Sequence, residues 1–583
     1  MDSLIVLLKR HYQNLIKLDI MILKINNKMK KYIFMFLIGL MLLSCGHESF
    51  NYEPQENIEE IFGTTFNPNH DWCSTDNKEI ILGGLDADSI KILASIGGEL
   101  KLLNNVKYSE NMNIYFDAPK GSDIFICTIK DNKQYFYLLD DVIRKTRSEE
   151  ESITIPTTPP AITGTVQSYE QKRGYPGFEN EVLYTTNLSP IEVSNYSESF
   201  LTTFRAVLFT YLPNGKGYNN LPKILAKGYY NNDCYAVTTG EDPILVSLMY
   251  KNDGGYHEVE TGELYYYYFK GNKTVEEIKA LPKYKALDVR TSMSDDDVIN
   301  KKHSYVLAYF DGETPTYQFP KGYKIGFMLR VNFKDDVKKG ELYFDGRLNS
   351  NINRHGHFAS SGLGDDDPRM CWVTVNKRMF MCCEAGTDSD FNDAIFEIEG
   401  VEPIDIPIDP EYNYYTYLFE DRNYGDYDMN DVVLRGTRID ETHVKWEVVA
   451  TGAYDELYIY NINGKVINST KEVHSYFNVE QETYVNVGLG VTKPIVSETL
   501  TVKKDFSFLN NMPYIKNVTQ NNRLIYLSTV GQNPHAIMIP FEMKWPIEKI
   551  CIKDAYLEFN DWGKNPIASF DWYIRPVEEK VVQ

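Results

Sequence analysis

Twice this chain crowds carboxylates onto a short turn and then runs straight into apolar residues. The first copy is Thr387-Asp388-Ser389-Asp390-Phe391-Asn392-Asp393 followed by AIF; the second is Gly425-Asp426-Tyr427-Asp428-Met429-Asn430-Asp431 followed by VVL. Two bare carboxylates about 4 Å apart near a protein surface repel by roughly 4 kcal/mol at an effective dielectric of about 20, so such a turn needs a cation or strong donors. An acidic residue also ends the strand-like run before each copy, Glu384 in FMCCEAG and Glu420 with Asp421 in YLFEDRNYG. The pattern predicts one unit used twice: strand, acidic loop, strand, with oxygen ligands at the tip.

The expected ligands are Asp388, Asp390, Asn392 and Asp393 with Glu384 in the first loop. In the second they are Asp426, Asp428, Asn430 and Asp431 with Glu420 and Asp421. Oxygen-only ligands at alternating positions suit calcium, which tolerates irregular shells of six to eight oxygens; magnesium, with its stricter octahedron, comes second. Two calcium sites are therefore expected. An EF-hand is excluded, because its sixth position needs Gly where Asp393 and Asp431 stand, and its twelfth is Glu399 in one copy but Thr437 in the other. The alternative is an Asx-rich turn whose side chains bind backbone N–H groups without metal.

Short apolar runs broken by turns dominate the rest, and 43 tyrosines with many Val, Ile, Thr and Phe favour strands. The expected fold is mainly β, with antiparallel β-sandwich-like domains in tandem and few helices. A small β domain spans 71–146, with hairpin turns at Ala118–Gly121 and Lys130–Lys133. The Pro- and Thr-rich stretch 147–163 reads as a linker. A longer β domain, 164–401, holds the first acidic loop, and within it only VEEIKALPKYKAL, 275–287, reads as helical. A second Pro-rich linker covers 402–412, and a last β domain, 413–583, holds the second loop and an Asn463-Gly464 hairpin signal. The net charge of −22, from 82 acidic against 60 basic residues, argues against nucleic acid as a partner and in favour of cations.

Met29-Lys30-Lys31, the apolar run Tyr32–Leu43 and Ser44-Cys45 form a basic start, a short hydrophobic stretch and a small residue before cysteine. The apolar run would make about 18 Å of helix, short of a hydrocarbon core of about 30 Å, so it reads as a cleaved signal. Residues 1–28 read as a start-site extension, 29–44 as the signal and 45–70 as a tether. Leu42-Leu43-Ser44-Cys45 resembles a bacterial lipobox, which implies lipidation of Cys45 and an outer-membrane, surface-exposed location. Leu43 is bulkier than that pattern usually carries.

The remaining cysteines, Cys73, Cys127, Cys234, Cys371, Cys382, Cys383 and Cys551, lack CxxC spacing, so neither zinc nor a disulfide framework is expected. His355 and His357 read as a solvated loop pair, and Asp295–Asp297 and Asp365–Asp367 as solvated loops, the second able to add a ligand. No G-x-S-x-G, H-E-x-x-H or P-loop occurs, and no catalytic residues are assigned.

The segment YTYLFEDRNYGDYDMNDVVLRG, with KWPIEKICIKDAYLEFNDWG and DWYIRP, resembles the LruC-type domain of surface lipoproteins. KGYKIGFMLRVNF through EAGTDSDFNDAIFEIEG is similar to the β domain that often precedes it, with Cys383-Glu384-Ala385 replacing the fuller Phe-Glu-Asp. The resemblance implies calcium in the acidic loops but no established activity. Two functions follow as expectations: a calcium-binding surface lipoprotein that binds glycan, host or partner protein, or a lipid-anchored carbohydrate-active hydrolase with structural calcium.

Overall fold

The computed structural model describes residues 58–144, 167–168, 182–184, 186, 188–212, 229, 231–251, 259–289, 303–310, 315–333, 339–349, 363, 367–385, 390–404, 408–422, 425–461 and 471–582. The chain divides into two units, Met1–Thr65 and Phe66–Gln583. The described part of the first holds one short helix, Ile58–Phe62. Cys45, the signal region 29–44, the linker 147–163, Asp295–Asp297, His355, His357, Asp365, Asp366, Asp388 and Asn463-Gly464 lie outside the described residues.

Among the described residues the second unit is mainly β, and its sheets are antiparallel apart from one parallel strand pairing, Lys283–Asp288 with Val182–Tyr184. The strands of each sheet come from one stretch of the chain, 75–138, 167–402 or 414–539. In the first, Thr75–Leu82 pairs with Met112–Pro119, and a four-stranded sheet runs in the order Glu99–Lys107, Ser89–Ile96, Ile124–Lys130, Lys133–Leu138. Asp131 and Asn132 both adopt positive φ, 51° and 63°, and turn Ile124–Lys130 back onto Lys133–Leu138 as a two-residue hairpin. Ala118–Gly121 is not a hairpin. It carries the chain from one sheet to the next, because Met112–Pro119 spends its hydrogen bonds on Thr75–Leu82.

The middle segment builds an eight-stranded and a six-stranded sheet. Val259–Lys270 pairs along its length with Tyr323–Phe333. Successive tyrosines alternate faces, and the buried Tyr266 hydroxyl donates to Ala308 O at 2.7 Å. Two helical expectations need correction. Only Val275–Lys279 is helical in the 275–287 stretch, started by a Thr274/Glu277 capping box; beyond Pro282 the chain is the strand Lys283–Asp288. Glu198–Tyr211, expected as β, is a helix of 14 residues capped by Ser197, and it buries Leu201, Phe204, Val207 and Leu208.

The last segment holds a five-stranded sheet, in the order Val496–Thr501, His443–Ala450, Val432–Arg438, Tyr414–Phe419, Ala536–Ile539, and a three-stranded one. After Ile539 the described chain forms no further strand, contrary to the strand-like reading of this region. It makes short helices, Ile552–Ala555 and Phe559–Lys564, whose Phe559 and Trp562 cluster with His70, Trp72 and Trp572.

The three segments are not separate bodies. One apolar core runs from Leu93, Phe125 and Phe136 through Phe204 to Trp372 and Phe380. Across the 402–412 stretch, the buried Asp117 carboxylate accepts from Ser507 Oγ at 2.5 Å and from the Phe508 N–H at 2.6 Å, and the Tyr415 hydroxyl donates to Asp117 O at 2.7 Å. The segments on either side of 402–412 belong to one packed unit, because buried polar groups on each side satisfy each other.

Candidate metal centre

Both acidic stretches close hairpins. Cys383 lies opposite Ala394, at the ends of Arg378–Cys383 and Ala394–Glu399; Phe419 lies opposite Val432, at the ends of Tyr414–Phe419 and Val432–Arg438. The apolar residues after each loop, Ala394-Ile395-Phe396 and Val432-Val433-Leu434, are buried and pin the second strand.

The described residues of the two loops share a backbone design. In the second, the Met429 N–H donates to Glu420 Oε1 at 2.7 Å, the Asp421 N–H to Asp431 Oδ2 at 2.6 Å, and the Asn430 N–H to Asp428 Oδ1 at 3.2 Å. In the first, Phe391 donates to Glu384 Oε2 at 3.1 Å, Ala385 to Asp393 Oδ2 at 2.6 Å, and Asn392 to Asp390 Oδ1 at 3.3 Å. Phe391 and Met429 hold the same left-handed conformation, φ 58° and 59°. Non-glycine residues adopt it at a cost that the three repeated hydrogen bonds offset.

The loops differ in what remains after these bonds. In the first, Asn392 turns its amide onto Asp390 Oδ2 at 2.8 Å, so the Asx-turn account covers much of what is described there. In the second, oxygens of Glu420, Asp426 and Asp428 lie within 4.8 Å of one another. Asn430 Nδ2 donates to Pro546 O at 3.1 Å, which turns its Oδ1 the other way; that oxygen is buried without a partner. Glu548 Oε2 is likewise buried and unpartnered. The two oxygens meet over Gly452, where a Cβ would stand 2.2 Å from Asn430 Oδ1 and 2.5 Å from Glu548 Oε2. A Cβ on Gly425 would stand 2.7 Å from Glu420 Oε2. Glycine at both places leaves room for oxygens that no protein donor occupies.

The electrostatics follow from this crowding. Burial, then the Asp428 charge, pushes Glu420 well above the usual carboxylate range. Burial, then Asp426 and Glu548, raises Asp428 to about 8; burial raises Glu548 to about 7 and Asp421 to about 6. Asp431 is also raised, by burial and then by Glu420. Carboxylates this strained are relieved by protons or by a cation, and the donor set, all oxygen, fits calcium. Asp426 is the exposed member and gives the group its opening to solvent.

Of the residues expected from the sequence, Glu420, Asp426 and Asp428 form this group, and Asn430 points its Oδ1 to the neighbouring pair with Glu548 over Gly452. Asp421 and Asp431 brace each other beside it, and Asp421 also lies near the Arg422–Asp455 ion pair, 2.7 Å. Glu548 was invisible to sequence reasoning. All seven described cysteines are free thiols, and Cys371, Cys382 and Cys383 are buried.

A family model described as "Domain of unknown function (DUF4842)" matches residues 499–573, a span that contains Glu548 and Lys549. Neither a curated protein nor a solved structure matches the chain.

Proposed function

We propose that this chain is a calcium-binding surface lipoprotein of the LruC-type kind, held in the outer membrane by lipid on Cys45 and acting as a binding or adhesion module for glycan or protein. The observation that carries the calcium reading is the convergence of Glu420, Asp426 and Asp428 oxygens within 4.8 Å of one another, beside a second pair of buried, unpartnered oxygens, Asn430 Oδ1 and Glu548 Oε2, that meet over Gly452. Leaving such oxygens unpaired costs about 1–3 kcal/mol each, and a hard cation removes that cost. The first loop is the second calcium site in this reading, with Asp388, Asp390, Asn392, Asp393 and Glu384 as its ligands. The family match supports a recurring domain at the C-terminal end, and the lipobox-like residues support the anchor.

Calorimetric titration of the metal-stripped full chain with calcium tests the first part. Saturable binding is expected; heats no different from buffer would end the metal reading. An alkyne fatty acid fed to cells tests the second: the wild type should carry the label, and label retained on Cys45→Ser would remove the anchor. One acyl chain holds a membrane only marginally, so stable attachment implies several.

A further inference from the structure

We infer that the cleft between Tyr412–Tyr414 and the segment 541–545 binds a neutral saccharide. It rests on the binding-module reading above and is independent of the metal. The cleft has a volume of about 550 Å³, within the range of sites that enclose a small organic ligand. Tyr412, Tyr414, Phe541 and Trp545 line it, and the first three are half-buried. Rings in this state offer apolar faces for the C–H side of a sugar, and tyrosine adds a polar tip for its hydroxyls. Arg435 stacks 5.2 Å from the Tyr414 ring centroid and fixes it in place.

Charge selects the ligand class. Each cation lining the cleft is already held by a carboxylate: Lys101 by Glu99 at 3.3 Å, Arg435 by Glu542 at 3.0 Å, and Lys544 by Glu578 at 2.6 Å. Glu411 adds a further negative charge to the lining, on a chain whose net charge is −22. An anionic ligand would have to displace a carboxylate against that field, and a cationic one would find most of the carboxylates engaged. A neutral polyol can bridge the paired charges through its hydroxyls while its apolar face covers the rings.

The test titrates the full chain, in calcium, with neutral gluco-, xylo-, manno- and N-acetylchito-oligosaccharides, following tryptophan fluorescence and heat. Sialylated and uronate oligosaccharides and short peptides serve as comparisons. At least one neutral series should saturate, and Tyr414→Phe and Phe541→Ala should each weaken it about tenfold while the melting temperature stays near that of the wild type. Tyr414→Phe keeps the ring packed, so its loss reports the hydroxyl. Absence of binding by every neutral series, tighter binding of an anionic glycan or a peptide, or indifference to both substitutions overturns the inference. Calcium binding in the same calorimeter is read separately, so either reading can fail alone.

Discussion

The backbone N–H of Lys549 donates to Asp428 Oδ2 at 2.6 Å and ties the acidic loop to a segment 121 residues further along the chain. The Ile552 N–H does the same for Tyr427 O at 2.8 Å. The tip of the hairpin is thus built into the C-terminal segment, and substitutions there act on both.

Asp428→Asn should separate charge from hydrogen bonding. The amide can still accept from a neighbouring N–H, and it resembles the protonated acid that a pKa of about 8 favours at neutral pH without metal. Its single oxygen serves one of the two backbone donors, so melting in chelator should fall by less than for Asp428→Ala, whereas calcium affinity should fall at least about tenfold, or about 1.4 kcal/mol. Asp428→Ala also abandons the Lys549 and Asn430 donors, and it should destabilise with or without calcium by about 1–3 kcal/mol. An Asn variant that binds calcium as well as the wild type would contradict the ligand assignment.

The pH dependence has a definite sign. Asp428 at about 8 and Glu548 at about 7 lie above unfolded values of about 4. Raised carboxylates favour the folded chain below the unfolded pKa, and that contribution is lost as pH rises through the folded value. In chelator, melting temperature should fall from about pH 4 to about pH 8 on this account. Calcium needs the deprotonated oxygens, so the gap between calcium and chelator melting curves should widen over the same range. Scanning calorimetry in both buffers checks it; a gap that narrows toward pH 8 would count against the site.

Gly452→Ala places a methyl 2.2 Å from Asn430 Oδ1 and 2.5 Å from Glu548 Oε2. Overpacking of this kind costs about 1–3 kcal/mol, and calcium binding should be lost with it. Glu548→Gln keeps the shape and removes one charge. It should fold normally and bind calcium at least about tenfold more weakly, measured by competition with a fluorescent chelator.

Asp117→Ala strips the acceptor from Ser507 and Phe508. Two buried donors left unpaired should cost about 2–5 kcal/mol. Because the first two segments share one apolar core and the last is tied to the first by the buried Asp117 hydrogen bonds, the described unit should melt as one transition, shifted as a whole. A selective shift of an early transition alone would restore the picture of independent domains.

Much of this was legible locally. The repeated acid spacing with its apolar flank located both hairpins, and Glu384 and Glu420 stand where strand-end acids were expected. The left-handed Phe391 and Met429 were not legible, since neither side chain favours positive φ and only the closed loop enforces it. The helix Glu198–Tyr211 was obscured by β-favouring Thr202, Thr203 and the aromatics, although Ser197 and the spacing of Leu201, Phe204 and Leu208 were there to be read. Glu548 could not be found because nothing in its neighbourhood differs from an ordinary surface stretch. Its role is created by Pro546 and Lys549 docking onto Asn430 and Asp428.

Asp117 and Ser507 are 390 positions apart. A chain emerges from the ribosome N-terminus first, so the early β segment is made long before the hydroxyl and N–H that quiet its buried carboxylate. Until those arrive, the acid stays solvated, although the strands around it, all within 75–138, can already pair. Burial of this acid therefore waits on delivery of the rear of the molecule, and a chain stalled before residue 507 would show an open carboxylate on an already paired sheet to whatever chaperone or protease surveys it.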